Sequence, residues 1–162
     1  MSAPLIVDQA LLDGLSVDAA VSPRRRKNRN FHAHDADAAH RLLNAIEPGS
    51  YVAPHQHLDP AKDETMIVVR GRLGVVFFDA DGGVTQTVVL GPDGAACGVN
   101  IPHGVFHSVL ACQPGTVFFE AKAGPYLPLG EAERAAWAPL EGDAGAAAYA
   151  ESLRRLFGSF AD

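Results

Sequence analysis

Two stretches of this chain, far apart in sequence, carry histidines in a pattern that a fold must bring together. The first runs from Gly49 to Gly71 and holds His55, His57 and Glu64. The second, Pro102 to His107, reads P-H-G-V-F-H. Along an extended strand side chains alternate faces, so His55 and His57 point the same way. Two imidazoles on one face, a carboxylate one strand away and a third imidazole, His107, from a distant strand make a four-position metal-ligand set. Such a mixed nitrogen and oxygen set suits one divalent transition metal, Fe, Mn, Ni, Zn or Cu, and does not choose among them. No thiolate stands at a ligand position, which argues against a structural zinc cluster.

The residues around these segments read as β-structure. From Arg41 onward, runs rich in Val, Ile and Phe are separated by Gly, Pro and Asp signals. They are RLLNAIE, SYVAPHQH (the strand expected to carry both histidines), TMIVVR, RLGVVFFD, VTQTVVL, ACGVNI, HSVLAC and TVFFEAK. Roughly eight strands so spaced are the signature of a sandwich or barrel. TMIVVR and RLGVVFFD flank Gly71, which predicts a tight hairpin needing positive φ. DADGG, Asp79 to Gly83, predicts a second hairpin. No helical pattern alternates with the strands, so a parallel α/β sheet is not expected. Helices are expected only at the ends. Leu5 to Leu15 places Leu5, Leu11, Leu12 and Leu15 on one face. EAERAAWA is a brief helical segment. AGAAAYAESLRRLFGSF carries Tyr149, Leu153, Leu156 and Phe160 at helical spacing, a stripe for packing on the barrel or on a second subunit.

Taken together the two segments resemble the two motifs of the cupin superfamily: Gly, five residues, His-x-His, a spacer, Glu, six residues, Gly, and later Pro-x-Gly-x-x-His. More narrowly, the chain resembles the WbuC family of cupin-fold metalloproteins. The stretches that carry this are SPRRRKNRNFH (Ser22 to His32), RLLNAIEPGSYVAPHQH (Arg41 to His57), RGRLGVVFFD (Arg70 to Asp79) and FEAKAGPY (Phe119 to Tyr126). The resemblance implies an all-β fold: a single cupin, or double-stranded β-helix, barrel with short N- and C-terminal helices. It divides the chain into an N-terminal helix and basic segment packing on the barrel (1–40), the barrel (41–126) and a C-terminal extension with its helix (127–162). Two departures stand out. The spacer LDPAKD is longer than the family pattern, which leaves Asp59 or Asp63 open as ligand in place of Glu64. Glu64 is preferred because it keeps its six-residue distance to Gly71. The Asn usual four residues after the second-motif His is Ala111 here.

Composition bounds the remaining possibilities. With 162 residues, 48% of them hydrophobic, the chain suits one globular domain. A net charge of -6 argues against a nucleic-acid partner, and no apolar run is of membrane-spanning length. The N-terminal MSAPLIVDQALLDGL has no basic residue before its apolar stretch and reads poorly as a signal peptide, so a cytoplasmic protein is expected. Cys97 and Cys112 are then reduced thiols, small buried core residues. His40 reads as a surface or cap residue, and His103 as exposed at the barrel rim. An exposed barrel edge and an apolar terminal helix fit a homodimer.

The one basic cluster, Arg24 to Arg29, suits docking of an anionic ligand group. If extended, it projects Asn28, Asn30 and His32 to one side, towards the metal cavity, and Lys27, Arg29 and Phe31 to the other. Further on, Glu120 and Lys122 share a strand face; inside a barrel their charges must pair or meet a ligand. Lys122 and Tyr126 are expected to line the pocket or its rim. The substrate-binding candidates are thus Asn28, Asn30, His32, Lys122 and Tyr126. Three functions compete: a metalloenzyme acting on a sugar, nucleotide sugar or related polar metabolite of surface-polysaccharide metabolism; a non-catalytic metal-dependent binding or sensing protein; and a metal-stabilised structural dimer. A metal-free cupin, whose histidines bind substrate or act as acid and base, is the bland alternative.

Overall fold

The computed structural model describes residues 3–158. Phe160, expected in the terminal helix stripe, lies outside them. Two antiparallel sheets face each other, with a short helix near each end of the chain: the single cupin-type barrel anticipated above. Helix α1 (Gln9–Val21) leads into β1 (Arg26–Asn30) and β2 (Ala39–Ile46). Then come β3 (Glu64–Arg70), β4 (Leu73–Phe78), β5 (Val84–Leu90), β6 (Gly98–Ile101), β7 (Phe106–Ala111) and β8 (Thr116–Ala123). Helix α2 (Ala146–Arg155) follows a single 3-10 turn at Glu131–Glu133, all that forms of the helical segment expected at EAERAAWA. One sheet has the order β1-β2-β8-β3-β6 and the other β5-β4-β7.

Three apolar clusters hold these layers. Met66, Val68 and Phe118 of the first sheet meet Leu73, Val75 and Val109 of the second to fill the barrel. Leu12, Leu15 and Ala19 of α1 cover Leu43, Ala45 and Val117 on the outside of the larger sheet. Ala146 and Leu153 of α2 cover Val76, Phe78 and Leu110 on the outside of the smaller one. Tyr149 packs there too, whereas Leu156 stays exposed.

Several expectations are corrected. Helix α1 begins at Gln9 rather than Leu5, because Asp8 caps it: its carboxylate accepts the Leu11 N–H at 2.9 Å. Leu5 lies ahead of the cap and is exposed. Gly71 does have positive φ, 77°, yet it joins no hairpin. β3 pairs with β6 and β8, and β4 with β5 and β7, so Gly71 turns a corner between sheets. The Asp79–Gly83 hairpin between β4 and β5 is present, its turn tied by Asp79 Oδ1 accepting the Gly83 N–H at 2.7 Å.

SYVAPHQH is not a regular strand. Pro54 has no N–H to donate, and the segment keeps only isolated bridges at His55, to His107 and to Arg134. The eighth strand is instead β1, formed from the basic segment, which pairs along its whole length with β2. Cys97 is exposed and Cys112 only half-buried, so neither is the core residue expected; both are free thiols. His40 is buried on β2 rather than at the surface. It stacks on His32 with ring centroids 3.9 Å apart. No helix among the described residues is long and apolar enough to cross a membrane.

Candidate metal centre

The histidine segment is held on both sides. Its His55 exchanges backbone hydrogen bonds with His107 on β7, at 3.1 and 2.9 Å. On the other side the C-terminal extension runs alongside: the Gln56 N–H donates to Glu133 O at 2.9 Å and the Ala135 N–H to Pro54 O at 3.2 Å. The Glu133 carboxylate also accepts the Leu58 N–H. The Gly104 N–H of the second motif donates to His57 O at 2.7 Å, so the Pro-x-Gly turn clips directly onto the His-x-His segment. Gly104 has φ of 77°, which glycine adopts without strain. Irregular backbone thus still presents His55 and His57 together, their ring centroids 5.3 Å apart.

Glu64 opens β3 and is buried, directly opposite Ile101 and Lys122. His107 is buried on β7. His55 and His107 are oriented in the same way: each places Nδ1 3.0 Å from the backbone carbonyl two residues earlier, Ala53 or Val105. A carbonyl can only accept, so each Nδ1 carries a proton and Nε2 is the nitrogen left for a ligand, the orienting contact that ligating imidazoles use.

At the centre three buried atoms have no hydrogen-bond partner: His57 Nε2, His107 Nε2 and Glu64 Oε2. Both nitrogens lie close to that oxygen, at 3.4 and 3.3 Å. Ligand atoms of His55, His57 and Glu64 all fall within 4.8 Å of one another. Donors that share one ion at about 2.0–2.2 Å sit roughly 3.0–3.5 Å apart. The spacing and the missing partners both fit a shared cation, since buried polar atoms are otherwise paired.

Electrostatics points the same way. Burial and the neighbouring His107 push the His55 pKa down to about 3, so the imidazole is neutral, as a ligand must be. Burial opposes ionisation of Glu64, but His107, His57 and Lys122 outweigh it and hold the carboxyl well below its usual range. Asp63 does not compete: its carboxylate accepts both the backbone N–H and Nδ1 of His103, each at 2.9 Å. His103 is exposed, as expected. Asp59 is exposed and turned to the Ala61 N–H at 2.9 Å.

From Glu64 a row of polar side chains runs along the inner face of the larger sheet. Lys122 Nζ lies 3.4 Å from Glu64 Oε1 and 2.8 Å from Glu120 Oε1. Asn44 Nδ2 donates to Glu120 Oε2 at 2.8 Å. Burial and the charge of Glu64 raise Glu120 to about 7, against the pull of Lys122. Burial lowers the Lys122 pKa, but Glu120 and Glu64 more than offset it and hold the ammonium charged. These groups, with His55, Glu64 and His107 at one end, border a cavity of about 440 Å³.

The other candidates are divided. Asn28 borders this cavity. Asn30 lies on the same face of β1 and accepts a 2.8 Å hydrogen bond from Asn28, but lines neither this cavity nor the next. His32 lines neither cavity: its ring packs on His40 and takes the Arg41 N–H at 3.2 Å. Phe31 anchors in the apolar layer beside α1, on the side expected. Tyr126 is exposed on the wall of a second cavity of about 400 Å³, which His55, His57 and Lys122 also border. Nothing in the sequence signals Asn44 or the Glu133–Ala135 strap.

A family model described as a domain of unknown function, DUF6016, matches residues 7–90. The chain belongs to the DUF6016 family. No curated protein matches it. Among solved structures it is similar to a conserved protein of unknown function from Streptococcus pyogenes (11% identity, TM-score 0.52, covering 78% of this chain and 93% of that one). It is also similar to KdgF from Halomonas sp. (20% identity, TM-score 0.49, covering 64% and 83%). A third is a cupin-2 domain containing protein from Shewanella frigidimarina (24% identity, TM-score 0.45, covering 60% and 79%). At these identities the likeness concerns the fold alone. DUF6016 membership attaches no chemistry to the chain, so its function is argued from the site.

Proposed function

We propose that this DUF6016 member is a metal-binding cupin of the WbuC type whose His55, His57, Glu64 and His107 hold one divalent transition metal. The site acts on a small polar, anionic metabolite, with a sugar or nucleotide sugar the class to test first. The observation that carries the reading is the convergence of buried, unpartnered donor atoms from His57, Glu64 and His107. Bound there, a metal supplies Lewis-acid polarisation of a ligand oxygen. The chain's own groups do the rest. The Lys122 ammonium, fixed between two carboxylates, can donate to a ligand hydroxyl or oxyanion. Glu120, with its pKa raised and Asn44 steadying one oxygen, can hold or release a proton near neutral pH. Val52, Met66, Val109 and Phe118 give the cavity an apolar wall that limits water. The WbuC resemblance supplies the leaning towards surface polysaccharides.

The test is to strip purified protein with chelator, reload it with each candidate metal and screen nucleotide sugars and sugar acids for product. Metal-dependent turnover is the expected result. Saturable binding with no product would replace the enzyme with a binding or sensing protein. Neither, with a melting temperature that collapses on chelation, would leave a structural metal.

A further inference from the structure

We propose that Arg24 and Arg26 anchor a phosphoryl group of the cavity's ligand, and that Glu141 is an internal carboxylate that occupies this anchor until the ligand displaces it. The proposal rests on the reading of the cavity as a ligand site and adds a second recognition point, remote from the metal ligands. The cavity that His55, Glu64 and His107 border at one end is bordered at the other by Arg24, Arg26 and Lys27. Strand register sets the distance. Glu64 stands opposite Lys122, while Arg26 stands opposite Ile46, which stands opposite Thr116. The six-residue step from Thr116 to Lys122 along β8 is roughly 20 Å. A ligand touching both ends is therefore elongated, with its phosphoryl group well away from the end that meets the metal ligands.

Glu141 already shows how the anchor grips an oxyanion. Arg24 Nε and Nη2 donate to its two oxygens at 2.9 and 2.6 Å, and Arg26 Nη1 and Nη2 donate to the same two at 3.0 and 2.7 Å. Two guanidinium forks thus close on one carboxylate, the geometry by which arginine recognises carboxylate and phosphate alike. Charge is unbalanced. Among the described residues Glu141 is the one carboxylate within ion-pair distance of either arginine, so two positive charges face a single negative one. A phosphoryl dianion matches the pair better.

Arg26 and the carboxylate differ in how they are held. Arg26 is fixed further by Ser50 Oγ at 3.2 Å and Tyr51 O at 3.1 Å, and its strand is fully paired. Glu141 stands on an exposed loop, residues 141–145, between the 3-10 turn and α2. That loop belongs to neither sheet, so its departure would break no strand pairing.

Inorganic pyrophosphate is the probe, titrated calorimetrically into full-length wild type, Glu141→Gln, Arg24→Gln and Arg26→Gln. Each is measured metal-loaded and chelated, with metal content recorded. Removing the competing carboxylate charge should tighten pyrophosphate roughly tenfold, and either arginine change should weaken it by about as much. In wild type, backbone hydrogen exchange across 139–145 should speed up when pyrophosphate binds. Affinity indifferent to all three substitutions, or binding without faster exchange in 139–145, overturns the proposal. Binding that needs metal and ignores the arginines also overturns it and leaves the metal reading intact. The full pattern in protein that holds no metal does the reverse. If an arginine variant fails to fold, Glu141→Gln and the wild-type exchange still decide.

Discussion

Lys122 is the residue on which the buried charge of the site turns. Its ammonium lies between Glu120 and Glu64, both nearly excluded from water. Lys122→Met would leave two carboxylates facing each other without a cation. Breaking a buried pair in this way costs on the order of 3 kcal/mol. The expected loss of apo-protein stability is of that size near pH 8, by urea titration. It should shrink towards pH 5, because Glu120, already raised to about 7, takes up a proton and discards its charge. A loss independent of pH would mean that packing, not charge, sets the effect. At the ligands, His55→Ala should cut metal occupancy more than tenfold, and Glu64→Gln less, since an amide oxygen still coordinates weakly.

At the scale of elements, the turn between β3 and β4 is the most constrained. A Cβ on Gly71 would lie 2.5 Å from Thr116 Oγ1 and 2.8 Å from Thr116 Cα, and φ there is 77°. Gly71→Ala therefore combines backbone strain with overpacking, and we expect a loss of roughly 2–4 kcal/mol, read as a lower melting temperature. A loss below about 0.5 kcal/mol would show that the corner is not rigid. The same turn shows what could be read in advance. Positive φ at Gly71 follows from glycine between two β-runs, but the partners of those runs do not. Pairing is a long-range choice set by which apolar faces meet, so a hairpin and a corner between sheets look alike in one dimension. His55, His57, Glu64 and His107 were legible because chemistry and spacing coincide in them. Asn44 was not: it reaches Glu120 only through the register of β2 on β8. Nor was the strap at Glu133 and Ala135, whose backbone hydrogen bonds follow no residue preference. The basic segment read as charge became a strand because β2 offered it a free edge.

At the scale of the molecule, the C-terminal extension closes the structure at three places: against the His-x-His segment, on the smaller sheet through α2, and on Arg24 and Arg26 through Glu141. The Arg24 hydrogen bond leads the effects that outweigh burial and hold the Glu141 carboxyl down at about 2, well below its ordinary value of 4.5. A depressed carboxylate contributes stability that is present above the unfolded pKa and lost as pH falls through the folded one. The clamp should accordingly weaken between about pH 4.5 and pH 2. Glu141→Gln should flatten that part of the wild-type stability profile, as seen by thermal melts across the range. Parallel profiles for the two proteins would show that the clamp adds nothing to stability.

The metal reading depends on one ion at the convergence of His55, His57, Glu64 and His107. The direct measurement is the metal-to-protein ratio, by plasma mass spectrometry, of freshly purified wild type beside a His57→Ala, His107→Ala double variant of matched fold. About one equivalent of a single transition metal is expected in the wild type and only a small fraction of that in the variant. Trace metal in the wild type even after reconstitution, or the same ratio in both proteins, would contradict it.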